Sequence, residues 1–274
     1  MKFNYGVMQG RLSRKLGKRI QAFPKNKWQL EFPKAKKLGL KSIEWTIDSD
    51  DFHKNPIFST KGRSIIKRLS KKYSIKVENI TGDYFMENPF WKIKKNEEII
   101  ENLKRVLKCC KALNIKYLVI PLVDNGSIKN TSQIKNLFKA LNRIIEYIKK
   151  SNVKIVFESD FSPKKLREFI NLFDKNYFGI NYDVGNSAGL GYRINDEFEC
   201  YGKYIYNVHI KDRYKNGKSV KLGEGNVDFF KLFKNLKNIK FKRNLILQTA
   251  RSKKNQHMNE IKTNLNFLIK IQNV

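Results

Sequence analysis

The sequence is poor in histidine, cysteine, proline and acid, with 3 His, 3 Cys, 6 Pro and 25 Asp plus Glu in 274 residues. Each shortage excludes something. Cys109, Cys110 and Cys200 make neither a disulfide framework nor a metal knuckle. Cys109 and Cys110 are adjacent inside a helical pattern, where a thiol packs as a small apolar group. A reducing cytoplasm is the expected location. No apolar run approaches the roughly 20 residues of a membrane-spanning helix. The opening MKFNYGVMQGRLSRK lacks the apolar centre of a secretory signal. No Gly-x-Gly-x-x-Gly follows the first strand pattern and no Walker-type loop occurs, which excludes two common phosphate-cradling designs. No repeat and no low-complexity linker divides the chain, so residues 1–274 are expected to form a single domain.

Positive charge is abundant. The formal net charge is +32, and 45 of the 57 basic residues are lysine. Such a balance suggests a polyanion partner. Yet the lysines spread over every helical pattern, and arginine, which suits bidentate phosphate and base recognition, is scarce. Solvated helix faces account for most of the excess. No specific nucleic-acid partner is expected, although weak, salt-sensitive polyanion binding is. An anionic small substrate would exploit the same field.

Apolar runs alternate with helical patterns along the whole length. The strand patterns are FNYGVMQ, SIEWTID, KVENITG, YLVIPLV, KIVFESD, FGINYDVGN, YNVHIKD and NLILQT. Between them, apolar residues at helical spacing predict helices, most clearly over Asn96–Leu113, Ser132–Lys150 and Glu260–Gln272. Eight strands alternating with about eight helices predict parallel βαβ units. With 41% hydrophobic residues and a length near the roughly 250 residues of such a fold, the expected fold class is α/β, a single (β/α)8 TIM barrel.

Active sites of such barrels lie where the strands end. The fifth to eighth strand patterns turn polar at Glu158, Asp183, His209 and Gln248 in succession. Two carboxylates, an imidazole and an amide oxygen suit one divalent ion of the Mn2+, Mg2+, Co2+ or Zn2+ type. Each alone has an ordinary explanation, such as a helix cap or a satisfied histidine; four in a row favour a metal site.

Other polar residues gather near the same rim. Glu44 interrupts the apolar SIEWTID and shares a strand face with Thr46, so a buried carboxylate is expected there, paired or used in catalysis. Asp212 is a candidate to orient His209 or to take part in proton transfer, and Asp83 is another acid at a strand top. Lys211, Arg213 and Arg11 are candidate anion contacts, and with Gln9, Glu224 and Arg251 they make up the expected substrate-binding residues. Glu224 lies between two glycines in LGEGNVDF, whose Asp228 is explained by helix capping. Asn186 reads either as a turn residue or as a support for Asp183. Tyr84, Phe85, Met86, Phe90 and Trp91 either cover the site or pack their own loop.

The segments GVMQGRL, IEWTID, FESD, NYDVGN, VHIKDR, LGEGNVDF and LILQTAR, in that order along the whole chain, resemble the xylose isomerase-like barrel superfamily, in its sugar-phosphate isomerase/epimerase branch. The resemblance implies a metal-dependent sugar isomerase or epimerase with a small carbohydrate substrate. It implies one divalent ion held by Glu158, Asp183, His209 and Gln248. It also implies two glutamates flanking the substrate carbon, and Gln248 stands where the second would be. An amide gives an oxygen to an ion but moves no proton at ordinary pH. A dehydratase or lyase needs one base fewer and is the alternative. The superfamily's abasic-site endonucleases need many histidines, so that activity is not expected. The sequence leaves a homo-oligomer open.

Overall fold

Near-continuous runs of branched apolar residues form strands only where both faces are covered. Here eight such runs do so. The computed structural model describes residues 2–17, 19, 21–252 and 256–273. The strands are β1 (Tyr5–Met8), β2 (Ser42–Ile47), β3 (Asn79–Gly82), β4 (Tyr117–Leu122), β5 (Lys154–Ser159), β6 (Phe178–Asp183), β7 (Ile205–Ile210) and β8 (Leu245–Leu247). They pair in parallel in chain order, and β8 returns to β1 to close the barrel. The expected α/β fold is the one observed.

Packing outside the barrel is aromatic. Phe157 of β5 lies among Phe169, Phe173 and Phe178, and Trp45 of β2 meets Phe23 and Trp28. Tyr84, Phe85, Phe90 and Trp91 are buried around the short helix Asp83–Glu87. Of the two readings of that segment, packing of its own loop is what the structure has.

The helical patterns hold with two adjustments. Residues 132–150 form two helices, Thr131–Arg143 and Ile145–Ser151. The break falls at Ile144, with φ −116° and ψ 16°, beside a second β-branched residue, a pairing poorly suited to a helix. The last helix begins at His257. A two-stranded ribbon, Asp212–Arg213 against Ser219–Val220, follows β7 and was not evident from alternation.

Two local devices aim the strand ends. Between β6 and β7 the register shifts, from Ile180 opposite Ile205 to Asn181 opposite Asn207. The bulge leaves Tyr206 over and sets Asp183 opposite His209. Bulges commonly re-aim side chains beside a site. The second device is Glu31, which is buried and accepts hydrogen bonds from Gly10 N at 3.0 Å, Leu12 N at 3.2 Å and Ser13 Oγ at 3.0 Å. It folds the loop after β1, where Gly10 has φ +90° and a Cβ would meet the Ala22 carbonyl at 2.7 Å.

Burial pushes the Glu31 carboxyl up to about 6, against the pull of those donors and of Lys34. The folded chain therefore keeps a proton that the unfolded chain releases near 4.5. Stability from this group is present at low pH and falls by about 2 kcal/mol as pH rises through that interval. Urea midpoints of the wild type across pH 4 to 7, compared with Glu31→Gln, are expected to differ by this slope. Parallel curves would refute the assignment.

Candidate metal centre

Glu158 near the end of β5, Asp183 at the end of β6 and His209 near the end of β7 are all buried. One ligand atom of each lies within 4.8 Å of the others. Asp183 divides its work between its oxygens. Oδ1 caps the helix Val184–Gly189 by accepting from Asn186 N at 2.8 Å. Oδ2 is buried and accepts no directed hydrogen bond, with Lys211 Nζ 2.7 Å away. Glu158 accepts from Asn186 Nδ2 at 2.8 Å and from Asn181 Nδ2 at 2.9 Å. His209 Nδ1 is 3.3 Å from Glu158 Oε2. Two carboxylates and a ring nitrogen that converge in this way fit a divalent cation.

The other face of His209 is fixed from below. Its Nε2 is 2.7 Å from Glu44 Oε1, and both side chains are fully buried. Glu44 also accepts from Asn207 Nδ2 at 2.7 Å, Asn79 Nδ2 at 3.2 Å and the Thr81 hydroxyl. Burial raises the Glu44 carboxyl, but His209 and these donors outweigh it and hold it below the ordinary range. Burial lowers the His209 ring, but Glu44 and then Glu158 outweigh that and raise it to about 10. Glu44 was expected among the catalytic groups. With no exposure and its oxygens taken up by the ring, two amides and a hydroxyl, it is placed to orient His209, not to meet substrate.

Asp212 requires a larger correction. It is fully buried and accepts from the backbone N–H groups of Arg213, Gly223, Gly225 and Val227. It staples the loop after β7, which explains its burial without a catalytic role or a bond to His209. Arg213 gives Nε and Nη2 to the Gly217 carbonyl and Nη1 to Asn186 Oδ1, so its fork holds the loop in place of a substrate. Glu224 is exposed and makes no side-chain bond to the cluster among the described residues.

At the rim after β8, Gln248 Oε1 accepts from Lys211 Nζ at 3.2 Å. One ammonium thus touches both Asp183 and Gln248. Gly185 and Gly189 allow this placement: a Cβ at the first would meet the Lys211 side chain at 2.8 Å, and at the second the Arg213 guanidinium at 3.2 Å. Gln9 is fully buried; its Oε1 accepts from Thr46 N at 3.1 Å, and its Nε2 has no partner among the described residues. Arg11 donates Nε to the Thr249 carbonyl at 3.0 Å and Nη1 to Gln21 Oε1 at 2.6 Å. Arg251 donates to the Gly10 and Ser13 carbonyls. These two arginines tie the loop after β1 to the end of β8, so their bonds are to protein. Asp83 is buried near Glu158, and burial followed by Glu87 and Glu158 pushes its carboxyl well above the ordinary range.

Asn181 and Asn186 were not among the predicted site residues, yet together they hold both oxygens of Glu158. Asn181 lies two residues before Asp183, on the same strand face. Asn186 lies at the capping distance after it.

A family model described as xylose isomerase-like TIM barrel matches residues 32–271. The inosose isomerase of Bacillus subtilis is 27% identical over 127 residues, 43% of this chain and 46% of that protein. The Probable endonuclease 4 of Persephonella marina is 25% identical over 138 residues, 47% and 48% of the two chains. The chain thus spans about half the length of these curated relatives. The solved structure of the IOLI protein with a binding zinc atom superposes with a TM-score of 0.73 at 19% identity, over 98% of each chain.

In the metal-free protein the Glu44–His209 pair stabilises fully between the unfolded carboxyl near 4.5 and the unfolded ring near 6.5. Above that the ring's contribution declines, and it is lost as pH rises through about 10. Glu44→Gln is expected to bring the His209 ring pKa down toward its ordinary range in ring-resonance titrations. It should also cost on the order of 3 kcal/mol, as loss of one partner of a buried pair does. An unchanged ring pKa would refute the pairing.

Proposed function

The chain belongs to the xylose isomerase-like TIM-barrel family, and from that premise we propose that it is a divalent-metal-dependent isomerase or epimerase of a sugar or sugar phosphate. The carrying observation is the convergence of Glu158, Asp183 and His209 within 4.8 Å, with Asp183 Oδ2 engaged by the Lys211 ammonium. Glu158, Asp183, His209 through Nδ1, and Gln248 through its amide oxygen would hold the ion. When bound, the ion supplies Lewis acidity toward a substrate carbonyl and its enediolate.

The chain's own groups supply proton transfer. Glu158 is the base for the carbon next to the carbonyl, with Asn181 and Asn186 fixing the direction of its lone pairs. Gln248 cannot serve as the opposite acid, but Lys211 Nζ, which touches its oxygen, carries a proton at that place. Glu44 keeps Nε2 of His209 occupied, so that Nδ1 is the nitrogen turned toward the cluster. The chain's net charge of +32 favours an anionic substrate. A lysine acid beside one carboxylate base also suits elimination, and a dehydratase acting on a keto-sugar or cyclic polyol is the second reading. The three zinc ions of an abasic-site endonuclease would need more imidazoles than a chain with three histidines brings to this rim.

Mn2+ titration by calorimetry is expected to give one site, weakened about 100-fold by Asp183→Ala and by Glu158→Ala. Because the metal-free ring holds its proton up to about 10, binding at neutral pH should release about one proton and tighten as pH rises. Unchanged binding in both variants would overturn the metal centre. Candidate ketoses incubated in D2O should exchange the hydrogen next to the carbonyl without losing water, and Lys211→Gln should slow that exchange. Water loss would select the dehydratase.

A further inference from the structure

The eight strands also begin in a ring, and that end of the barrel carries charge of its own. A cavity of about 400 Å3 opens there, lined by Lys41, Lys76, Lys116, Lys242 and Arg243, with Glu78 the single acid in its wall. These residues precede β2, β3, β4 and β8. Asn4, before β1, joins them, so the wall is one continuous arc of five adjacent strands.

This arc gathers its cations around one cavity. Among the described residues, Lys41, Lys116, Lys242 and Arg243 pair with no carboxylate, and Lys76 reaches Glu78 only at 3.6 Å. Arg243 is fixed in place: its Nε donates to Tyr117 Oη at 2.6 Å, and its guanidinium lies 4.7 Å from the Tyr206 ring centre and 5.6 Å from that of Phe241. Its Nη atoms have no hydrogen-bond partner among the described residues. Lys154, at the start of β5, lies 4.3 Å over the same Tyr206 ring. Burial and then Arg243 bring its ammonium down to about 8. Five cations face one carboxylate, so an anion bound among them would meet little competing negative charge.

We propose that this cavity is a second binding site, for a compact, multiply charged phosphoryl anion of the polyphosphate or bisphosphate class. The volume fits a small molecule, and a positioned guanidinium fork meets two phosphoryl oxygens at once. The site is remote from the carboxylate centre and does not rest on the reading given to it. Asn79 lines the cavity and donates to Asn207 Oδ1 at 2.8 Å and Glu44 Oε2 at 3.2 Å. The two ends of the barrel are therefore joined by one hydrogen-bonded column.

The probe is inorganic tripolyphosphate, titrated calorimetrically into full-length protein with EDTA and about 150 mM salt, where diffuse surface attraction is screened. One saturable site is expected. Lys41→Gln/Lys116→Gln, whose side chains anchor nothing buried, should weaken it at least about tenfold, and Arg243→Gln should do the same. Lys61→Gln/Lys67→Gln, an equal charge loss on an exposed helix face, and Lys211→Gln at the opposite rim should each stay within about twofold. Equal loss in the helix pair would make the binding nonspecific. Loss in Lys211→Gln would move it to the carboxylate end. No loss in the Lys41/Lys116 pair would end the proposal, whether or not Arg243→Gln folds.

Discussion

The interaction on which the site depends is the contact between Glu44 and His209 inside the barrel. A carboxylate with no exposure is costly unless it is paired and hydrogen-bonded, and Glu44 is both. The barrel accommodates this by filling part of its interior with amides: Asn79, Asn181 and Asn207 occupy inward positions where branched apolar side chains are usual. They are nearly fully buried, and each bonds a carboxylate or the ring that a carboxylate holds. With Nε2 committed downward, His209 has one nitrogen left, and it faces the oxygens of β5 and β6. The polar column thus fixes the geometry of the rim above it.

The rim adds backbone devices that serve the same geometry. The bulge at Ile180/Asn181 sets Asp183 opposite His209. Gly185 and Gly189 flatten the helix after β6, so that Lys211 and Arg213 lie across it. Asp212 collects four backbone donors and closes the loop that carries them. In VHIKDR three neighbours do different work: Lys211 faces the cluster, Asp212 staples the loop, and Arg213 braces it against Gly217 and Asn186.

Much of the fold was legible because a parallel barrel buries both strand faces, and each apolar run therefore announces itself. The strand-end residues Glu158, Asp183 and His209 were legible for a related reason: a polar side chain ending such a run is costly unless it has a task. Asp212 and Glu44 misled because the same cost is offset in another way, by backbone N–H groups in one case and a buried ring in the other. His209 is far from Glu44 in sequence, and three of the four Asp212 donors lie 11 to 15 residues on. Arg11, Arg213 and Arg251 misled because a guanidinium serves backbone carbonyls as readily as it serves an anion. Asn181 was overlooked and Asn186 was read as a turn residue or a support for Asp183, because asparagine near a strand end usually makes turns; only the three-dimensional position of Glu158 shows what both hold.

Gln248 remains the point where this chain leaves the two-glutamate pattern implied by the resemblance. A glutamate there would compete with Asp183 for the Lys211 ammonium and add negative charge to a rim that already carries two carboxylates. The amide accepts from Lys211 without that competition, so the ammonium leans toward Asp183 at 2.7 Å and stays between the two side chains. The exchange also leaves the rim one charge more positive. In a chain whose whole field is cationic, that change favours substrates bearing negative charge.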